Sequence, residues 1–334
     1  MKTELIGRGE IERAASFIKE GGLVAFPTET VYGLGANACD DNAVRLIFAV
    51  KRRPIVNPLI VHVDSIEKAR ELTSYIGRSA LRLMQKFTPG PITFVLKSAG
   101  RVSRFACGGL DSVAIRIPKN PVALDLIKMS GVPIAAPSAN LSRRPSATNF
   151  EMAYRELNGL VKGIIKYDVS LNIGIESTVV SFTESDDVLI LRPGAVTREA
   201  IQESLGKEVS VDYALGKAAA ASPGNLLQHY RPRIPVYLFN GQDNIRKYMT
   251  NRYTKVLITR DTLNSYWFNK FYSMVHNICV YNTLEEYAAS IYREFVDSEK
   301  RYKQILAEYT HNSGLGYSIN NRLMKASLNK FISN

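Results

Sequence analysis

Residues 25–54 read AFPTETVYGLGANACDDNAVRLIFAVKRRP, and the order of the signals in them decides the class of fold. The stretch opens in an apolar run, GLVAFP (residues 22–27), that suits a strand. Gly33 and Gly35 follow and read as a glycine turn. Asp40 and Asp41 then cap a helix whose Val44, Ile47 and Phe48 recur at helical spacing, and Pro54 stops it. In a P-loop the lysine follows the glycines directly, because one loop cradles the phosphates and supplies the ammonium. Here Lys51 and Arg53 wait at the far end of a helix. A strand, a turn and a helix that delivers cations begin an α/β domain, and one that is not a P-loop.

Working outward, the same alternation continues. PLIVHV (58–63), PITFVLK (91–97), SVAIRIP (112–118), VPIAAP (132–137), STVVSF (177–182) and VLILRPG (188–194) read as β segments. Helices are expected over Ile66–Leu83, Pro121–Met129 and Thr197–Leu205. The composition then shifts: eleven of the 17 tyrosines and the single tryptophan, Trp267, lie beyond Arg233. A run of alanines followed by Pro223, Gly224, Pro232 and Pro235 has the look of a linker. Past it, PVYLF (235–239), TKVLIT (254–259) and HNICVY (276–281) alternate with helices expected over Thr283–Tyr302 and Arg322–Phe331. That is the rhythm of a small open-sheet, Rossmann-like domain, although it holds no G-x-G-x-x-G. The expected division is residues 1–207, a linker or lid over 208–234, and a second domain over 235–334.

Composition narrows the class. The 334 residues are 46% apolar, an ordinary globular value. No run approaches the length of a membrane span, so no membrane association is expected. The first 22 residues carry acids and lack the apolar core of a signal peptide, which predicts a cytoplasmic chain. Cys39, Cys107 and Cys279 are odd in number and too far apart for a metal knuckle or a disulfide framework. A formal net charge of +12 favours polyanionic company such as nucleotide or RNA, or equally a solvated basic surface.

Three polar clusters stand out. Thr28, Thr30 and Tyr32 are spaced by two, so in an extended segment their hydroxyls point to one side and can hold a small polar ligand; a polar strand edge would read the same way. Lys51 and Arg53 lead into a turn fixed by Pro54 and Pro58, with Asn57 and His62 close behind, which suits a polyphosphate. Ser138 and Asn140 follow the small-residue strand IAAP, and Ser142, Ser146 and Thr148 continue a loop of donors suited to phosphate or ribose. Arg116 lies inside an apolar strand, where a charge must be paired or functional; it is a natural clamp for a carboxylate. Neither a Ser-His-Asp nor a Cys-His order is visible, and the four histidines have no ligand spacing.

Taken together, these residues resemble the YrdC-like threonylcarbamoyl-AMP synthase family in its long two-domain form. The resemblance rests on FPTETVYGLGANA, KRRPIVNPLIVHV, PGPITFVLK, VAIRIP, PIAAPSANLSRRPSAT, GIESTVVSF, LILRPG and SPGNLLQHYRP, in the family's order over residues 23–235, and more thinly on SGLGYSINNRLMKAS near the end. Two departures are Pro223-Gly224-Asn225, where relatives read PGM, and Tyr167-Asp168-Val169, where Asp-Gly-Gly is common. The resemblance implies a twisted mixed α/β domain with a concave basic cleft, followed by a smaller Rossmann-like domain. It implies that L-threonine, bicarbonate and ATP, with Mg²⁺, give threonylcarbamoyl-AMP and pyrophosphate. A partner threonylcarbamoyl transferase would then act on an adenosine beside the tRNA anticodon. The family's K-x-R and S-x-N tetrad falls on Lys51, Arg53, Ser138 and Asn140. Thr30, His62, Arg116, Ala136 and Ser177 would surround threonine. Arg53, Asn57, Ser112, Ser138, Ser146, Arg192 and Tyr230 would contact ATP, and no protein metal cage is implied. Two rivals are a non-catalytic module that holds double-stranded RNA or tRNA, and a carbamoyl-adenylating hydrogenase-maturation factor. The compact polar clusters argue against the first, and the missing zinc-finger cysteines against the second.

Overall fold

A computed structural model of the chain describes residues 2–167, 171–211, 229–241, 245, 248, 250–265 and 277–332. It forms two compact units, one of Met1–Ser142 and Ser146–Asn225, the other of Arg143–Pro145 and Leu226–Asn334. Pro223-Gly224-Asn225, most of the SPGNLLQHYRP stretch, Asp168, Val169 and Trp267 lie outside the described residues.

The first unit opens with β1 (Glu4–Ile6), α1 (Ile11–Lys19), β2 (Val24–Phe26), β3 (Gly33–Asn37), α2 (Asp41–Lys51) and β4 (Ile60–His62). It continues through α3 (Ile66–Leu72), α4 (Arg78–Phe87), β5 (Ile92–Lys97), β6 (Ser112–Arg116), α5 (Pro121–Ser130) and β7 (Ile134–Ala135). It closes with α6 (Phe150–Leu157), β8 (Gly163–Ile165), β9 (Thr178–Phe182), β10 (Val188–Arg192), α7 (Arg198–Leu205) and β11 (Ser210–Val211). These strands share one mixed sheet in the order β1-β8-β2-β3-β7-β4-β6-β5-β9-β10-β11. Ile11, Ile18, Phe26, Leu126 and Ile134 meet in a core cluster beneath α1 and α5. Each large apolar side chain so buried contributes about 1.5–3 kcal/mol.

Helix α2 forms as its residues dictate. The Asp40 carboxylate accepts from the Asn42 and Ala43 N–H groups at 2.8 and 3.2 Å, and Val44, Ile47 and Phe48 are buried. Arg52 ends the helix in a left-handed conformation, φ 51°, just before Pro54. The glycines read differently in three dimensions. Gly33 and Gly35 lie within β3, which pairs antiparallel with β2. A Cβ on Gly35 would sit 2.8 Å from both Ile134 Cγ2 and Phe26 Cε1. They make room for the Phe26 ring and β7; the glycine turn expected here is a strand.

The single helix expected over Ile66–Leu83 is two. Thr73 bridges to Ser98, which pulls the chain out of α3. Helix α4 then restarts with the Asp186 carboxylate accepting its Ser79 N–H at 2.8 Å, a cap supplied more than a hundred residues away and invisible to local pattern.

In the second unit, β12 (Val236–Phe239), β13 (Thr254–Thr259), α8 (Arg260–Ser265), β14 (Ile278–Tyr281), α9 (Leu284–Ser298), β15 (Gln304–Glu308) and α10 (Gly314–Ser327) follow in order. All the described strand pairs are parallel, in the order β12-β15-β13-β14, the open parallel α/β pattern expected. Phe239, Val256, Ile258, Leu263 and Leu306 form one core cluster. The last helix was expected over Arg322–Phe331 but runs Gly314–Ser327, ended by Leu328 at φ 58°; its glycine-rich first turn hides it from propensity. Within this unit Arg144 meets Glu299 through both ends of its fork, at 2.6 and 3.0 Å, and the Arg231 N–H donates to the Arg143 carbonyl at 2.8 Å. No helix among the described residues is long and apolar enough to cross a membrane.

Candidate functional site

The site grows from the register of β4 and β6. These strands run parallel with Ile60 beside Ala114 and His62 beside Arg116. Strand β5 lies antiparallel on the other side of β6, with Phe94 opposite Ile115, so the next residue, Thr93, falls opposite Arg116. His62, Arg116 and Thr93 therefore form a row across the sheet. Ser112, at the start of β6, is four residues away, about 13 Å along an extended strand. Asn57 precedes β4 at that same end. The residues expected at threonine and those expected at ATP thus begin from opposite ends of one strand pair.

At the first end, residues 27–32 are the loop joining β2 to β3 rather than an extended segment. Thr28 Oγ1 donates to the Val31 carbonyl at 2.6 Å. Its proton is committed there, so the 2.8 Å contact between the Thr28 and Thr30 hydroxyls has Thr30 donating. Thr30 Oγ1 in turn accepts from Arg116 Nη2 at 2.9 Å. A hydroxyl has two acceptor lone pairs, so Thr30 keeps one and can offer a ligand an acceptor only. Tyr32 does not join this row: its hydroxyl donates to the Ile165 carbonyl at 3.3 Å, because the loop turns it into the core. The three-hydroxyl face read from the spacing is two hydroxyls.

Arg116 is 4% exposed. Its Nη2 also donates to Glu29 Oε1 at 2.7 Å, and Glu29 Oε2 accepts the Lys119 N–H at 3.0 Å. Burial pushes the Glu29 carboxyl up, but the Arg116 charge and hydrogen bond outweigh it and hold it below the ordinary carboxylate value. Glu29 was missed in the sequence, although a buried arginine requires a counter-charge. Arg116 Nε is buried without a hydrogen-bond partner among the described residues.

His62, 3% exposed, has its pKa lowered to about 3 by burial and by the Arg116 charge. It is neutral in this site. Between about 3 and its ordinary 6.5, the unfolded chain takes up a proton that the folded chain refuses, so stability falls as pH falls through that window. We expect His62→Phe to show a shallower loss of melting temperature from pH 6.5 to pH 4 than the unaltered chain. Parallel curves would contradict this.

Ser177 is fully buried. Thr93 Oγ1 lies 2.8 Å from its hydroxyl. Arg192 Nε and Nη2 donate to its carbonyl at 3.1 and 2.9 Å, and Nη2 to its hydroxyl at 3.1 Å. A register irregularity in β10 between Ile190 and Arg192 aims that guanidinium. Arg192, expected at ATP, holds Ser177 through these three hydrogen bonds. Ala136 ties the end of β7 to β4, its N–H donating to the Ile60 carbonyl at 2.8 Å.

At the other end, the Lys51 ammonium does not point outward. It is 1% exposed and donates to the carbonyls of both Ser138 and Asn140. Burial, then the Arg53 charge, lowers its pKa well below the ordinary lysine value, while two carbonyl acceptors favour its charged form. Lys51 was expected to face a ligand; it is the post on which the Ser138–Asn140 loop hangs. Arg53 donates to the Asn57 and Pro58 carbonyls at 3.4 and 3.1 Å, closing its own turn. Ser146 donates to Glu176 Oε1 at 2.5 Å, both buried. Tyr230 belongs to the second unit, where its ring is fully buried and stacks on Tyr292 at 5.2 Å.

A family model described as telomere recombination matches residues 16–194, and one described as the threonylcarbamoyl-AMP synthase C-terminal domain matches residues 196–327. The threonylcarbamoyl-AMP synthase of Pyrococcus abyssi is 40% identical over 329 residues, covering 97% of this chain and 96% of that one. That of Bacillus subtilis is 39% identical over 330 residues, covering 95% and 93%. The solved structure of the Pyrococcus abyssi protein complexed with L-threonine has a TM-score of 0.87 at 36% identity, covering 99% of each chain.

Proposed function

We infer the activity from a membership that is plain: the chain belongs to the threonylcarbamoyl-AMP synthase family. It is an enzyme of adenylyl transfer that makes threonylcarbamoyl-AMP and pyrophosphate from L-threonine, bicarbonate and ATP. The amine of threonine takes up the one-carbon unit to give a carbamate. A carbamate oxygen then attacks the α-phosphorus of ATP, and pyrophosphate leaves. No covalent nucleophile from the protein is required. What is required is that two anions be brought together and that charge developing on phosphorus be stabilised.

The residues divide that work as follows. The Thr30, His62, Arg116, Ala136 and Ser177 end receives threonine. Arg116 takes its carboxylate, and Thr30, left with an acceptor only, takes a hydrogen from its hydroxyl or amine. A neutral His62 adds no second cation to compete for the carboxylate. Arg53, Asn57, Ser112, Ser138 and Ser146 receive ATP, with Lys51 and Asn140 setting the Ser138 loop and Arg192 setting Ser177. Tyr230 completes the proposed contacts to ATP. Mg²⁺ travels with ATP on the phosphate oxygens; Glu176, whose Oε1 accepts from Ser146, is a carboxylate of the oxygen-donor type that this ion takes. Working in the cytoplasm, the enzyme hands its product to a threonylcarbamoyl transferase that modifies tRNA.

The observation that carries this division is the directed chain of hydrogen bonds from Arg116 through Thr30 to Thr28. It predicts selectivity. Valine, isosteric but lacking the hydroxyl, leaves a buried acceptor unpaired, whereas serine loses only a methyl contact worth about 1–3 kcal/mol. Pyrophosphate release should therefore run with threonine, more weakly with serine, and barely with valine. Equal use of valine and threonine would contradict the assignment.

A further inference from the structure

On the proposed reading Arg116 takes the threonine carboxylate, but a buried arginine can hold a small anion only if it cannot swing. We propose that Glu29 is a positioning residue of the threonine site, fixing the Arg116 guanidinium so that its remaining donors meet the substrate carboxylate. This rests on the reading that threonine binds beside Arg116.

Three observations carry it. Glu29 takes only one nitrogen of the guanidinium: its Oε1 accepts from Nη2 at 2.7 Å, the nitrogen that Thr30 also uses. A structural ion pair of this kind is commonly bidentate; this one leaves donors over, and Nε is buried with no partner among the described residues. Second, Glu29 is itself held. Its Oε2 accepts the Lys119 N–H at 3.0 Å, so its carboxylate is tied at both oxygens rather than free to swing aside for a ligand. Third, its side chain is 13% exposed against 4% for Arg116, which places it at the rim of the buried charge. The carboxylate is held in its ionised form, so it serves poorly as the base that strips the threonine ammonium. Its work is geometric.

Two physical effects oppose each other here. A fixed carboxylate beside Arg116 repels the incoming substrate carboxylate, so removing it would tighten binding if repulsion dominated. If positioning dominates, removal frees the guanidinium to relax toward its own unpaired neighbours or solvent, and binding weakens. The contact to the Lys119 backbone favours positioning, because a mere competitor would need freedom to leave.

The test is steady-state pyrophosphate release by the full chain and by Glu29→Gln and Glu29→Ala, with melting temperatures recorded. Positioning requires the KM for threonine to rise on the order of 10–100-fold in Glu29→Ala, while the KM for ATP stays unchanged. Glu29→Gln, whose amide oxygen can still accept from Arg116, should recover part of that loss. An unchanged or lowered KM for threonine in either folded variant overturns the proposal, and a lowered one identifies Glu29 as a competitor. Equal rises in both KM values overturn it as well, since they mark general loosening. Should Glu29→Ala fail to fold, the Gln variant decides alone: no rise in the threonine KM refutes the role. If the unaltered chain releases no threonine-dependent pyrophosphate, the functional reading fails instead, and that outcome is read before any variant.

Discussion

Replacing Lys51 by alanine lowers threonine-dependent pyrophosphate release by about two orders of magnitude or more, because the Ser138–Asn140 loop it holds no longer presents its preorganised contact to developing charge. It also lowers the melting temperature. The second half of that expectation comes from where the ammonium lies. Lys51 is buried and donates to the Ser138 and Asn140 carbonyls, so alanine strips a donor from a part-buried and a buried acceptor, the buried one at about 1–3 kcal/mol. A lysine reaching out to a phosphate would give the loss of activity with no loss of stability. Arg53→Ala separates the two roles. Arg53 is half-buried and donates to the Asn57 and Pro58 carbonyls of its own turn, so it should lose activity with a smaller change in melting. Unchanged melting in Lys51→Ala, measured beside Arg53→Ala by calorimetry, would show that the loop does not depend on this lysine.

The Arg116 pair gives the second large effect. Arg116→Ala leaves the Glu29 carboxylate without its counter-ion in a site where Arg116 is 4% exposed. Breaking a buried pair from one side costs about 3–5 kcal/mol, whereas replacing both partners by apolar groups of similar volume is often neutral. The single variant should therefore melt far below the unaltered chain, and the double variant Arg116→Met with Glu29→Met should recover most of that loss. Neither should respond to threonine at concentrations that saturate the unaltered enzyme. A double variant that is as unstable as the single one would mean that the pair is not an isolated charge unit. A double variant that still binds threonine would remove Arg116 from the site.

Much of this was legible along the chain because local chemistry and tertiary role agree. Asp40 caps α2 whatever surrounds it, and Val44, Ile47 and Phe48 announce a buried face by spacing alone. The strands of Ile60–His62, Ile92–Lys97 and Ser112–Arg116 are apolar on both sides of the chain, as strands inside a sheet are. What was misread depends on partners distant in sequence. Gly33 and Gly35 look like a turn because glycine is poor in strands; the Phe26 ring and the neighbouring β7 explain them. The spacing of Thr28, Thr30 and Tyr32 was sound for an extended chain, but the segment is a hairpin loop whose shape is set by hydrogen bonds to residues 139 and 147. The break between α3 and α4 needs Ser98 and Asp186. For the site, the right residue types were visible, while the direction of each side chain was not. Lys51 was singled out as a ligand cation, and its ammonium is buried against the Ser138 and Asn140 carbonyls. Glu29 was overlooked beside the threonines that hid it. A basic balance of +12 suggested polyanions without saying which, so a simple RNA-binding module remained a rival until the relatives were compared.

If one site joins three small molecules, each of them is needed for turnover. The decisive measurement is pyrophosphate release by the full chain, with L-threonine, bicarbonate and ATP each omitted in turn and the product identified by mass. Release should need all three, and the product should carry the mass of threonine, one carbonyl unit and AMP. Release that continues at the same rate without threonine or without bicarbonate, or a product lacking the carbonyl unit, would contradict the account.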